Sequence, residues 1–287
     1  MTPEPDFPYP IFVGGSARSG THAMGALLAS SERYATVGVE ARFHCANNGL
    51  ADLLQDKTDL DGFCRRTLGP WWSRGIFGER GLCVIATRVQ LEAAVEAFRA
   101  GFAGDHWRAA RQLMKDLIDP TAERKGKPAW VDLSGYNVRA APVMHRLFPR
   151  SKVIHMVRDG RAVTASILLK RDQTDDREEA FAHWHRRILA SHEGLQRMPA
   201  GAALTINLDQ LTALDRDREF ERLTGFLEIG DPRSMRSHFE REISAERAHV
   251  GAWRERLAPA DVRWVNRRYR QALKELRRDG IDYLPPP

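Results

Sequence analysis

The sequence predicts an α/β protein of three layers, with a central parallel sheet between two layers of helices. Two observations predict it. Six short β-branched or apolar runs alternate along the chain with longer segments of helical spacing. Two of these runs also end in glycine-bearing turns that lead straight into a helix. That alternation implies right-handed crossovers and a sheet covered on both faces.

The elements follow in order. A strand over 11–14 (IFVG) passes through Gly14-Gly15 into a helix over 21–30. ATVGV at 35–39 is a second strand. Residues 45–128 are poor in strands, although 82-LCVIA-86 reads as one, and they carry helices over 91–102 and 107–118. This stretch reads as a helical insertion or cap beside the sheet. AWVDL (129–133), KVIHMV (152–157) and ALTIN (203–207) supply three further strands, with helices over 138–147, 162–169, 178–196 and 260–277. No internal repeat or long low-complexity linker interrupts them, so 1–287 reads as a single domain. Residues 1–9 read as a flexible lead. The terminal 285-PPP-287 reads as a tail outside the core, since proline cannot continue a helix.

Composition narrows the function classes. The 287 residues are 43% hydrophobic, ordinary for a globular protein with a sizeable core. Against 38 acidic residues stand 44 basic ones, a formal charge of +6 on a mixed surface. Such a surface suits a polyanionic small ligand and does not require a nucleic acid. Cys45, Cys64 and Cys83 are odd in number and scattered, which fits neither a disulfide framework nor a zinc spacing. The start, MTPEPDFPYP, lacks the basic and apolar regions of a secretory signal, and no window is long enough to span a bilayer. The expectation is a cytoplasmic protein.

The first candidate site is 14-GGSARSGT-21. Gly14 and Gly15 let the backbone turn sharply and approach a ligand. Ser19, Gly20 and Thr21 open a helix whose free N–H groups and positive end attract an anion. Arg18 stands at the lip with a permanently charged fork, and the Ser19 and Thr21 hydroxyls can add donors. Gly15 and Gly20 bracket four residues, the outline of a loop that cradles phosphate. Yet Thr21-His22 stand where a nucleoside triphosphatase has its lysine and magnesium-binding hydroxyl. The site therefore reads as one for a monophosphate end with no metal. A plain, well-capped strand-to-helix connection is the alternative.

The second is 147-LFPRSKVIHMVRDGRAVTASILLK-170. Arg158 lies at the carboxyl end of a strand, where open parallel sheets place ligands. Ser166 follows eight residues later, about two helical turns up the next helix. Two anion sites on one sheet suggest a ligand with two separated phosphates. The alternative for Arg158-Asp159-Gly160-Arg161 is a salt bridge within the turn.

Together the two loops resemble those of sulfotransferases that use 3′-phosphoadenosine 5′-phosphosulfate (PAPS). The resemblance is closer to the protein-tyrosine and carbohydrate branch, with its R-S-G-T, than to the phenol and steroid branch. It implies a P-loop-like fold, PAPS as donor, adenosine 3′,5′-bisphosphate (PAP) as product and no metal. Gly15, Ser16, Ala17, Arg18, Ser19, Gly20, Thr21 and His22 would hold the 5′-phosphosulfate, and Arg158 and Ser166 the 3′-phosphate. Arg247, in a loop that often closes over the nucleotide, would be a further contact. The resemblance spans nearly the whole chain except 45–128, where acceptor selection would lie. It implies a hydroxyl or amine acceptor, no nucleic acid and no membrane span, and it admits a homodimer.

Arg18 would also neutralise the leaving phosphate. Glu40-Ala41-Arg42 resembles the E-x-R element that supplies the base in tyrosine sulfotransferases, so Glu40 is the favoured base, with His44 second and His22 third. Two departures stand out. In 130-WVDLSGYN-137, Leu133 and Gly135 occupy places where the family commonly has lysine and proline, although Asp132 and Ser134 keep the acid and hydroxyl. Asn137 is a candidate substrate or cofactor contact, and Asn207 stands where a nucleotide-packing tyrosine is common. His183 and His185, two apart on a helix, point to different faces and do not share a metal. The competing readings are a small P-loop kinase, and a non-catalytic nucleotide- or nucleic-acid-binding protein on the same fold.

Overall fold

A computed structural model describes residues 9–73, 80–170 and 174–287. Its strands are β1 (Ile11–Gly15), β2 (Tyr34–Thr36), β3 (Ala129–Asp132), β4 (Lys152–Val157) and β5 (Ala203–Asn207). Helix α1 (Thr21–Ala29) follows β1. Between β2 and β3 lie α2 (Leu50–Leu53), α3 (Leu60–Leu68), α4 (Arg88–Phe102) and α5 (His106–Glu123). Helix α6 (Asn137–Leu147) joins β3 to β4, and α7 (Gly160–Lys170) and α8 (Arg177–Leu195) join β4 to β5. After β5 come α9 (Arg216–Phe226), α10 (Arg233–Glu242), α11 (Ala245–Ala248), α12 (Trp253–Arg256) and α13 (Pro259–Arg278).

The sheet is wholly parallel in the order β2-β3-β1-β4-β5. With helices on both faces, β1 is buried along its whole length, which is why it reads as a continuous apolar run. Its side chains still alternate. Phe12 packs with Trp130 and the helices of the cap, while Ile11 and Val13 pack with α1, α9 and α10. The α/β architecture with a parallel sheet is as the sequence predicts.

Local chemistry sets the helix starts. Asp59 and Asp105 accept from the Gly62 and Arg108 amides at 2.6 and 2.9 Å, capping α3 and α5. Thr87 and Gln90 form a reciprocal capping box on α4. The cap is continuous with the sheet, because Phe63, Leu91, Phe98 and Leu117 share one apolar cluster with Phe12 and Trp130.

One expectation fails and a second holds only in part. The apolar run at 82–86 is not a strand. Gly81, at φ 132, brings the chain beneath Trp71 and Trp72, whose carbonyls accept from the Leu82 and Cys83 amides, and Leu82–Val84 curls into a 3₁₀ turn. The tail lies only partly outside the core, with Pro286 and Pro287 exposed. Leu284 and Pro285 are buried, and the Pro285 carbonyl accepts from the Tyr269 hydroxyl at 2.8 Å. The lead over 1–8 lies outside the described residues, while Tyr9 donates to the Leu227 carbonyl at 2.9 Å. Among the described residues no helix is long and apolar enough to cross a membrane.

His155 of β4 is wholly buried. Burial, then repulsion from His192, pushes its pKa down to about 3. In the unfolded chain it would titrate near the ordinary value of about 6.5. The unfolded state therefore takes up a proton that the fold refuses. Stability is complete above about pH 6.5 and falls by about 1.4 kcal/mol per unit as pH drops toward the folded pKa. Urea unfolding should show the native chain losing about 2 kcal/mol more than His155→Leu between about pH 7 and about pH 5. Equal losses would mean that His155 is not buried neutral.

Candidate active site

The order 2-3-1-4-5 sends the chain from β1 toward β2 on one side and from β3 to β4 on the other. The crevice at the carboxyl ends of β1 and β4 is thus the ligand position of such a sheet. Gly15 ends β1 there. A Cβ on it would overlap the Met156 carbonyl oxygen of β4, so only glycine fits. The loop then tightens. Ser19 is buried and its hydroxyl donates to the Ser16 carbonyl at 2.6 Å. Gly20, at φ 89, starts α1, which has no side-chain cap and no acidic residue in its first turn. Its leading N–H groups face a cleft of about 430 Å³ lined by Arg18, Gly20, Thr21 and His22.

Arg158, Ser166 and Arg247 line the same cleft. Arg18 takes the left-handed conformation (φ 64) and its Nε donates to Ser166 Oγ at 3.0 Å. Arg158 Nη1 donates to the Arg18 carbonyl at 3.0 Å, and Nη2 donates to the Ala248 carbonyl. Arg158 Nε is buried without a partner. Burial lowers the Arg158 pKa, against the pull of Asp209 and Asp159. Asp209 is the converse case: burial raises its pKa, Arg158 opposes, and Oδ1 has no partner. Sequence reasoning missed Asp209, whose only signal is its place after β5. Asn207 Oδ1 accepts from the Asp209 amide at 2.9 Å, so Asn207 caps that turn.

The turn salt bridge is there, made by Arg161, while Arg158 lines the cleft. Arg161 makes a forked ion pair with Asp159 (2.6 and 3.0 Å), donates to Asn266 Oδ1 at 2.9 Å and stacks on Trp253 and Tyr269. That turn salt bridge leaves Arg158 to the cleft. Arg247 is paired with Glu242. Of the other expected residues, Gly15, Ser16 and Ser19 are buried in the loop wall, and Ala17 is half-buried.

The base candidates separate. Arg42 Nε donates to Glu40 Oε2 at 2.7 Å, and Glu40 Oε1 is 3.8 Å from His22 Nε2, on the first turn of α1. The Arg42 amide donates to Ser134 Oγ at 3.2 Å, tying this loop to the end of β3. His44 is wholly buried, with Nε2 2.8 Å from Asn137 Oδ1 and 3.4 Å from Asp132 Oδ1. Burial favours its neutral form, but Cys45 and Asp132 outweigh that and raise its pKa well above the ordinary value. His44 and Asn137 are both wholly buried in this network. Leu133 packs against Gly25 of α1, inside the core. Trp71 is likewise core, against Phe63.

The two arginines should separate in solution. Breaking a buried ion pair costs about 3–5 kcal/mol. Arg161→Met should therefore lower the unfolding free energy by about that much in urea titrations, with a clearly smaller loss in Arg158→Ala. Equal losses would deny the division of labour.

Known proteins place this geometry. The sulfotransferase family profile matches residues 10–233. A putative protein-tyrosine sulfotransferase of Caenorhabditis briggsae is 25% identical over 235 residues, 80% of this chain and 69% of that one. The solved sulfotransferase domain of the Synechococcus PCC 7002 olefin synthase shares the fold. Its TM-score is 0.50 at 16% identity, over 94% of this chain and 97% of that one. With the match running from the first strand into α10, the chain belongs to the sulfotransferase family and is an enzyme of sulfuryl transfer.

Proposed function

We propose that the chain moves the sulfuryl group of PAPS to a hydroxyl acceptor, with PAP as the other product. The observation that carries this is the convergence of Arg18, Arg158 and Ser166 on one cleft at the uncapped start of α1. The donor set suits a nucleotide with two separate anionic groups. Two guanidiniums and a helix end supply positive charge, and the buried, unpartnered Nε of Arg158 is an unused donor. The helix end with Arg18 takes the 5′-phosphosulfate. Arg158 and Ser166 take the 3′-phosphate, and Arg247 joins them if it leaves Glu242.

Transfer is an in-line displacement. The acceptor oxygen forms a bond to sulfur while the bond from sulfur to the bridging oxygen breaks, and its electron pair leaves on the 5′-phosphate. Arg18 and the α1 amides meet that charge. Glu40 takes the acceptor proton on Oε1, the oxygen that Arg42 leaves open. His22, exposed beside it, flanks the path. Magnesium has no role, since the loop carries neither the lysine nor the hydroxyl of a metal-nucleotide site. The cap over 45–128 selects the acceptor. Cysteines outside any disulfide suit a reducing cytoplasm, and the mixed surface suits an acceptor other than nucleic acid.

Two measurements test this. PAP should bind in the presence of a chelator, and Arg158→Ala should weaken it by about tenfold or more, the loss of a charge-assisted bond. Binding that needs magnesium, or ignores Arg158, would refute the donor assignment. Labelled sulfate supplied on PAPS should pass to a fraction of cell extract. Glu40→Gln should slow that transfer by about 10²–10⁴-fold with PAP affinity retained. A variant that turns over near the parent rate removes Glu40 as base.

A further inference from the structure

An arginine withdrawn from water ordinarily meets a carboxylate. Arg187 of α8 does not. Among the described residues no acid lies within ion-pairing distance and no hydrogen bond engages its guanidinium, which stacks on the Tyr136 ring with its carbon 3.2 Å from the ring centroid. Burial is the largest influence on it and lowers its pKa; Tyr136, Cys45 and Glu40 pull the other way and Arg42 adds to the lowering. Its place is set by Tyr136, whose chain neighbours reach both the first loop and the Arg42 backbone. Arg187 is not part of the nucleotide cleft wall.

Tyr136 is itself pinned at a junction. Its neighbour Gly135 accepts through its carbonyl from the Gly15 amide at 3.2 Å, where the first loop begins. Ser134 receives the Arg42 amide. The ring therefore holds Arg187 beside the segment 134–136, which links the loop that would hold the 5′-phosphosulfate to the loop that carries Glu40. Stacking holds the guanidinium plane and leaves its N–H edges free to donate. Leu133, turned into the core against Gly25, supplies no charge on this side.

We propose that Arg187 is a further catalytic residue that grips the sulfuryl oxygens of the donor from the acceptor side, opposite Arg18. The proposal rests on the PAPS reading above. Arg187 neither gains nor loses a proton. It donates to the sulfuryl oxygens while the new bond to sulfur forms and the bridging bond breaks, and the acceptor proton goes to Glu40. An arginine in this role distinguishes donor from product, because PAP has lost the group it holds.

That difference allows a test without a known acceptor. The dissociation constants of PAPS and PAP would be measured calorimetrically for the full chain, Arg187→Met and Arg187→Lys. Arg187→Met should weaken PAPS by about tenfold or more and leave PAP within about twofold. Arg187→Lys should recover part of the PAPS affinity, and retained PAP binding reports an intact fold. An unchanged ratio of the two constants overturns the proposal, including the case where Arg187 serves an anionic acceptor instead. Equal weakening of both nucleotides also overturns it, since the residue would then only support the pocket. If the parent chain binds neither nucleotide, the donor reading falls and this proposal falls with it.

Discussion

The site depends on how closely β1 approaches β4 at their carboxyl ends. Gly15 has no side chain because the Met156 carbonyl occupies the space one would need. That contact brings the turn after β1 against the turn after β4. The Arg18 carbonyl can then accept from Arg158, and Arg18 can reach Ser166. Any side chain at Gly15 would push the strands apart and dissolve these bonds together. The anion site is therefore a property of sheet packing as much as of the loop's own residues, and it costs the helix its cap. An uncapped α1 is locally unfavourable, with N–H groups left open toward the cleft.

A second constraint lies behind Glu40. Asp132, at the end of β3, is wholly buried, and burial raises its pKa. His44, Asn137 and the Ser134 amide outweigh that and keep its pKa below the ordinary carboxylate value. Asn137 also donates to the Val13 carbonyl at 3.0 Å, so the network joins β1, β3 and the loop after β2. A buried network this well connected fixes one arrangement of the chain. Its output is the position of Glu40, through Ser134 and the Arg42 amide. His44 and Asn137 thus sit beneath the loop that carries Glu40, as part of its support.

Much of this was legible because it is local. Strand, glycine turn and helix follow one another directly at 11–29 and 152–170, and the arginines and serine that converge lie inside those two segments. The sequence singled out Arg158 by its place at the end of a strand, but it left open which arginine of R-D-G-R makes the salt bridge within the turn. That choice is made by Asn266, Trp253 and the tail carbonyl of Pro286, all distant in sequence, which enclose Arg161. The run at 82–86 misled for a related reason: Leu82 and Ile85 are buried from a 3₁₀ turn bonded to the Trp71 and Trp72 carbonyls, not from a sheet. Helices α9 and α10, rich in charged residues, gave too weak an apolar stripe to be read. Arg187 carries no local signal at all, since only the packing of α8 against the start of α6 brings it to Tyr136.

Arg158 connects the cleft to the segment over 242–256. Its two amino groups donate to neutral carbonyls, of Arg18 below and Ala248 above. A phosphate oxygen is anionic, and a charge-assisted bond to it is about twice as strong as a neutral one. Exchange of one carbonyl for phosphate is therefore downhill for the arginine. The two carbonyls are not equally easy to release. That of Arg18 belongs to the loop wedged between β1 and α1. That of Ala248 belongs to α11, a single turn with no buried residue, followed by His249 at φ 54. Arg247, adjacent to Ala248, is held by Glu242 at the rim of the same cleft. The Ala248 bond thus ties the backbone beside Arg247 to Arg158, so this segment and the cleft wall share one hydrogen bond.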